Sequence, residues 1–124
     1  MDKLNAVFPE TLDYHFQKVI QCARTGENAE FGAANLKMIK RALRDFQSAL
    51  ERRGLGLDTY DVVQDIYDLL TYPLAELEAC FQHLGKGKTP RINEKTAYIF
   101  AFFVIEQFKK LQEIASEIDE DYLQ

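Results

Sequence analysis

The stretch that decides the fold is TAYIFAFFVIEQFKKLQEIASEI, residues 96–118. From Phe108 onward its apolar side chains recur at the three- and four-residue steps that are typical of an amphipathic helix. Before that point it is apolar on every side, because Tyr98, Phe102 and Ile105 project toward the face that is polar in the second half. Burial of a large apolar side chain contributes roughly 1.5–3 kcal/mol, so we expect this additional face to be covered.

Two arrangements would cover the additional face. In the first, which we favour, the N-terminal half of this helix is the central rod of a bundle and is surrounded by the other helices. In the second, Tyr98, Phe102 and Ile105 form a patch for another chain, most simply in an isologous homodimer. The substitution Phe102→Glu separates the two, because it prevents folding if the residue is core and yields a folded monomer if the patch is intermolecular.

Gly and Pro residues divide the rest of the chain into further helical segments. Pro is favourable in the first turn of a helix, and Gly supplies the left-handed residue that ends many helices. The predicted helices run from Pro9 to before Gly26, from about Ala29 to Arg53, from an N-cap at Asp58 or Thr59 to before Pro73, from Pro73 to Gly85, and from an N-cap at Asn93 to about Ile118. The sequence therefore predicts an all-α, single-domain bundle of about five helices over residues 1–124. Its C-terminal helix is expected to be long and largely buried, with a short flexible N-terminus and an acidic tail from about residue 119.

The composition is that of an ordinary globular domain, with 124 residues of which 47% are hydrophobic and 28% charged. Cys22 and Cys80 lie in no metal-ligand spacing and are expected to be buried, reduced thiols. The N-terminal segment is too short and too polar for a signal peptide, and the longest apolar run, residues 97–105, is about half of what a bilayer crossing needs. We therefore expect a cytoplasmic protein without a membrane-spanning helix.

Charge is segregated along the chain. Residues 1–54 carry a net charge of +2, residues 55–84 carry −6, residues 85–95 carry +3 and residues 96–124 carry −4. A helical wheel places one charged stripe on the second helix and one on the third, each opposite the apolar face of its own helix. The basic stripe consists of Lys37, Lys40, Arg41 and Arg44, and the acidic stripe of Asp61, Asp65 and Asp68. Each stripe is either a solvated surface or a docking surface for an oppositely charged protein.

The same two stripes also bear on whether the protein binds nucleic acid or a metal ion. Four cations on one helix could hold phosphates, but the chain as a whole carries −5 and no aromatic side chain is interleaved with the stripe to stack bases. Nucleic acid is therefore disfavoured as a partner and is kept as an alternative. The three aspartates lack ligands from a second element that the sequence identifies, so no metal is predicted.

Residues suited to catalysis are few. The only serines are Ser48 and Ser116, and neither lies in the strand–turn–helix context of a nucleophile elbow. His15 is flanked by two aromatic residues on the first helix, and the two cysteines fall on or beside apolar faces, where thiols are usually inert. The chain is therefore predicted not to be an enzyme and to use no cofactor.

One short motif indicates an alternative function. The sequence His83-Leu84-Gly85-Lys86-Gly87 resembles the His-x-x-Lys-Gly core of histidine phosphotransfer domains, which are helical bundles of about this length. The resemblance implies that His83 is the phospho-acceptor and Lys86 its electrostatic partner. It covers five positions and departs from the family in two ways. Lys88 stands where the family has a small polar residue, and the glycines should end the helix that the family continues.

The leading interpretation is a small intracellular protein–protein interaction module, a regulator, adaptor or inhibitor that binds another macromolecule, with a homodimer as one possible state. It is reached by elimination, because no catalytic constellation is present. A nucleic-acid-associated protein using the basic stripe, and a phosphotransfer domain using His83, are the alternatives.

Overall fold

The computed structural model describes residues 3–55 and 57–123, without the side chains of residues 57, 58, 122 and 123. Within those ranges the chain is helical and has no strand, which confirms the all-α class. A 3-10 turn, Leu4–Val7, precedes four α-helices: α1 (Leu12–Thr25), α2 (Ala29–Arg53), α3 (Leu57–Gly85) and α4 (Glu94–Leu123). None of these helices has the length and apolar character needed to cross a membrane.

The four helices form a closed bundle. Each packs against the next along the chain, and α4 also packs against α1, while the 3-10 turn lies on α2 and α4. The centre of the core is aromatic and aliphatic. The largest side chains that are buried almost completely include Phe46, Phe81, Phe108, Leu36, Ile39, Leu70, Leu77 and Leu111. Most of these positions lie on the apolar helix faces that the spacing of the sequence predicts.

Half of the predicted helix ends are confirmed. Gly26 and Gly54 adopt left-handed conformations, with φ of 70° and 62°, and end α1 and α2 where expected. Asn93 caps α4, because its Oδ1 accepts the backbone N–H of Thr96 at 2.8 Å. Pro9 lies in a turn before α1 rather than in it. Thr59 lies inside α3, as does the backbone of Asp58, whose side chain is outside the described part of the structure.

The predicted break at Pro73 is wrong, and this reduces the predicted five helices to four. Pro73 lies inside α3 and is buried. A proline in a helix interior costs about 3 kcal/mol. The apolar stripe continues across it through Leu70, Leu74 and Leu77, whose burial contributes roughly 1.5–3 kcal/mol each. Because burial of these three side chains contributes more free energy than the proline costs, the helix continues through Pro73.

The expectation that α4 is a central rod is also wrong. Its buried stripe is Ala97, Ala101, Val104, Phe108, Leu111 and Ala115, whereas Phe102 is 50% exposed and Ile99 is 54% exposed. In a ring of four helices each helix contacts two neighbours, which leaves its outer side in solvent. A separate fifth helix that could cover that side is not present among the described residues.

The helix α4 also runs beyond its predicted end near Ile118. Asp119, expected in an acidic tail, is buried, and its carboxylate accepts the N–H groups of Leu4 and Asn5 at 2.7 and 3.1 Å. The side-chain amide of Asn5 donates to Ser116 at 2.6 Å. An anion at these free N–H groups satisfies donors that the 3-10 turn leaves open, so the N-terminal segment is held against the end of α4.

Candidate functional site

A groove between α2 and α3 carries part of the predicted basic stripe. It lies between two places where the helices come close together. At one, a Cβ atom added to Gly32 of α2 would lie 2.9 Å from the ring of Phe81 in α3. At the other, the hydroxyl of Tyr67 in α3 donates to the carbonyl oxygen of Leu43 in α2 at 3.1 Å. The span from Gly32 to Leu43 is about 16 Å along a helix axis, or about three turns.

The groove has an apolar floor and a charged rim. Its volume is about 650 Å³, which is within the range of ordinary ligand pockets. Ala33, Leu36 and Leu43 of α2 and Leu74 of α3 form the floor; Lys37, Lys40, Arg44, Glu78 and Gln82 form the rim.

The rim is predominantly cationic. Lys40 forms an ion pair across the groove with Glu78, and both side chains remain partly exposed. Lys37 and Arg44 are exposed and have no ion-pair partner within the ranges that the structure describes. Arg41, the fourth member of the basic stripe, is exposed but does not line the groove. The fold therefore brings three of the four predicted cations to one apolar depression.

Tyr67 fixes one end of the groove. Burial, together with the nearby carboxylate of Glu51, raises the pKa of its phenol well above the ordinary value. The hydroxyl thus keeps its proton and its hydrogen bond to α2 at any physiological pH. A second tyrosine, Tyr60, repeats this contact closer to the start of α3, with its hydroxyl 3.2 Å from the carbonyl oxygen of Leu50.

The acidic stripe lies outside the groove. Asp61, Asp65 and Asp68 are all exposed on α3, and Asp68 accepts a hydrogen bond from the side-chain amide of Gln64 at 2.9 Å. Over the described residues, no group of three or more His, Cys, Asp or Glu side chains is arranged to hold a metal ion.

The predicted patch on α4 is only partly exposed. Tyr98 is 38% exposed and Phe102 is half exposed, whereas Ile105 is partly buried against the core. Because Phe102 is not a core residue, Phe102→Glu is expected to leave the protein folded.

His83 and Lys86 are both exposed at the end of α3. The Nδ1 atom of His83 lies 2.7 Å from the carbonyl oxygen of Ala79, so Nδ1 carries a proton and donates this hydrogen bond. The helix ends at Gly85, two positions after this histidine, as the glycines predict.

The remaining candidate side chains have structural surroundings. Cys22 and Cys80 are buried free thiols, and burial raises the pKa of each. His15 bridges two helices, with Nδ1 lying 2.7 Å from Oδ1 of Asn35.

The sequence predicts the cations of the groove but not its floor. Helical spacing places Leu36 and Leu43 on the apolar face of the second helix, with no sign that a depression lies above them. The signal that could have located it is Gly32, since a glycine inside a helix marks a place where another element comes close. Comparison of the chain with models of protein families, with curated proteins and with solved structures found no match.

Proposed function

We propose that the protein is a non-catalytic interaction module, a regulator, adaptor or inhibitor, that binds an acidic segment of another protein in the groove between α2 and α3. The observation that carries this proposal is the combination of an apolar floor with three cations on the rim. Apolar anchors of a partner would pack mainly on Ala33 and Leu43, the partly exposed members of the floor, while its carboxylates would approach the cations.

The dimensions favour a helical occupant. The groove extends over about three turns of α2, and an amphipathic helix of that length presents three or four side chains on one face. One feature distinguishes this site from a surface for nucleic acid: phosphate binding does not require an apolar floor.

Site-specific photo-crosslinking in the native cell tests the proposal. A photoreactive amino acid replaces Glu78, a partly exposed rim residue, and the crosslinked product is identified by mass spectrometry. The experiment is repeated with Lys37→Glu combined with Arg44→Glu, which reverses two rim cations. Arg41→Glu is the matched control, because it reverses a cation on the same helix outside the groove.

We expect a crosslink to an acidic polypeptide that the double reversal removes and Arg41→Glu retains. Exposed charge pairs contribute about 0.2–1 kcal/mol each, so reversal of two of them is expected to weaken binding by about 2 kcal/mol, or about 30-fold. A crosslink to nucleic acid that all three reversals weaken alike would favour the alternative partner. A polypeptide crosslink that is unaffected by the double reversal would contradict the proposal.

A further inference from the structure

The outer side of α3 carries a second surface, which meets the groove only at Gln82. Eight positions of this helix follow one another at alternating four- and three-residue steps. They share an arc of about 100° on the helix surface, and seven of them are exposed. We name this surface the α3 outer stripe; it consists of Asp61, Asp65, Asp68, Tyr72, Ala75, Ala79, Gln82 and Lys86.

The stripe is charged at its two ends and apolar in the middle. Its first turns carry three aspartates, and its last residue is Lys86, close to His83. Lys86 belongs to the same helical path, because its backbone N–H still bonds to the carbonyl oxygen of Gln82 at 3.2 Å. At the centre Tyr72 is 57% exposed, the highest exposure of any large apolar or aromatic side chain that the structure describes.

We infer that the α3 outer stripe is the interface of an isologous homodimer in which two copies of α3 pack antiparallel. A two-fold axis that passes between Tyr72 and Ala75 places each stripe position of one copy opposite one stripe position of the other. The resulting pairs are Asp61 with the partner's Lys86, Asp65 with the partner's Gln82, Asp68 with the partner's Ala79, and Tyr72 with the partner's Ala75. Asp61 of each copy then faces the partner's Lys86, which is the single cation of the stripe.

Charge complementarity is the reason for naming a second copy as the occupant. Asp61, Asp65 and Lys86 have no ion-pair partner in the described part of their own chain. A parallel arrangement of two copies would place the aspartates against each other, whereas the antiparallel arrangement brings the acidic end of each copy to the cation of the other. Any other protein would need the reverse charge pattern on one helix, which a second copy of this chain supplies by symmetry.

Packing at the centre supports the same register. Tyr72 lies across the small side chain of the partner's Ala75, so the two helices can approach closely and cover both rings. The ring of Tyr72 is already held edge-on against Phe100 of its own chain, with ring centres 5.7 Å apart. A ring that is fixed before association loses little conformational freedom on binding. Leu69, three positions before Tyr72 on the same helix and also more than half exposed, extends the apolar centre beside the stripe.

Analytical ultracentrifugation of three chains tests the interface: the natural sequence, Asp61→Lys and Lys86→Asp. Each single reversal places like charges together at both symmetry-related contacts and should weaken dimerisation about 30-fold. An equimolar mixture of the two variants should form a heterodimer as tight as the natural homodimer. In that heterodimer the introduced lysine meets the introduced aspartate at one contact, and the natural Asp61 meets the natural Lys86 at the other. Glu120→Lys is the control for net charge, since Glu120 is an exposed residue of α4 that does not belong to the stripe, and the change should leave the association unchanged.

A second pair of variants tests the apolar centre without a change of charge. Tyr72→Ala should weaken dimerisation roughly tenfold, and Tyr14→Ala, which removes a comparably exposed tyrosine from α1, should have no effect. Circular dichroism confirms that each variant is folded. A natural chain that remains monomeric at about 100 µM in about 50 mM salt would overturn the inference, as would a dimer that the Asp61 and Lys86 reversals do not affect. A dimer that Tyr14→Ala disrupts and Tyr72→Ala does not would place the interface elsewhere and overturn it equally.

Discussion

Helices α1, α2 and α3 come close together at Gly32, and replacing this residue with alanine is the most direct test of the packing. Gly32 lies in the first turns of α2, where a Cβ atom would come 2.9 Å from Cβ of Cys22 and 2.9 Å from Cε1 of Phe81. Both neighbours are buried, and Phe81 is only 1% exposed. Neither can move aside without displacing other core side chains, so α2 must shift away from α1 and α3.

Two opposing effects set the size of the change. Alanine is favoured over glycine in a helix interior by about 1 kcal/mol. Forcing an additional methyl group into a packed core costs typically about 1–3 kcal/mol, and here the methyl meets two separate neighbours. We therefore expect Gly32→Ala to lower the free energy of unfolding by about 1–2 kcal/mol despite its better helix propensity.

Gly85→Ala is the matched control. Gly85 is also helical, but an added Cβ would meet only Cγ of Glu30, at an ordinary contact distance of 3.9 Å. Helix propensity then acts without a clash, so this substitution should leave the stability unchanged or raise it by up to about 1 kcal/mol.

Urea unfolding followed by circular dichroism measures both variants. Phe81→Leu removes part of the ring that the alanine meets, so it should reduce the penalty of Gly32→Ala when the two are combined. Equal effects of Gly32→Ala and Gly85→Ala would refute the reasoning, because they would show that propensity alone decides both. A penalty that Phe81→Leu leaves unchanged would show that the ring is not the cause.

Three further predictions concern buried polar groups. Asp119→Ala leaves two backbone N–H groups of the 3-10 turn without their acceptor. In urea titrations it should lower the free energy of unfolding by about 2–4 kcal/mol, and a loss below about 0.5 kcal/mol would contradict the assigned role. Gln107→Leu removes a buried side-chain carbonyl oxygen that has no hydrogen-bond donor among the described residues. It should raise the melting temperature and increase the free energy of unfolding by about 1 kcal/mol at the midpoint. A lower melting temperature would show that the amide is needed. Burial raises the pKa of the Cys22 and Cys80 thiols above the ordinary value of 9.0, so the unfolded chain ionises first as the pH rises. The contribution of the two thiols to stability should therefore be constant below about pH 8 and be lost above about pH 9, with Tyr67 adding to the loss at higher pH. A stability that increases between about pH 8 and pH 10 would contradict the burial of these groups.

The groove shows how far the candidate site could be predicted. The spacing of Lys37, Lys40 and Arg44 places them on one side of a helix, since helical periodicity is a local property of the sequence. It could not show that Leu74, about 30 positions away, lies beside them, because that juxtaposition depends on how α2 and α3 pack. The same spacing assigns Arg41 to this surface, whereas the packing leaves that residue outside the groove.

Pro73 and Asp119 show why parts of the fold could not be predicted. The rule that proline ends a helix describes a local free-energy cost. Here the burial of apolar side chains on both sides of Pro73 contributes more than that cost. Asp119 stands in an acidic run that is typical of an exposed tail. Its burial follows from two N–H groups at the other end of the chain, which no local pattern contains.

The sequence by itself determined the helical class, the ends of α1 and α2 at Gly26 and Gly54, the cap at Asn93 and the segregation of charge, because each depends on residues a few positions apart. The tertiary structure alone decided the number of helices, the depression between α2 and α3, and which side of α4 stays in solvent. Those features depend on the sum of burial over whole faces and on contacts between distant segments. The physical reason is that local preferences of about 1–3 kcal/mol are overridden where packing several large side chains contributes more.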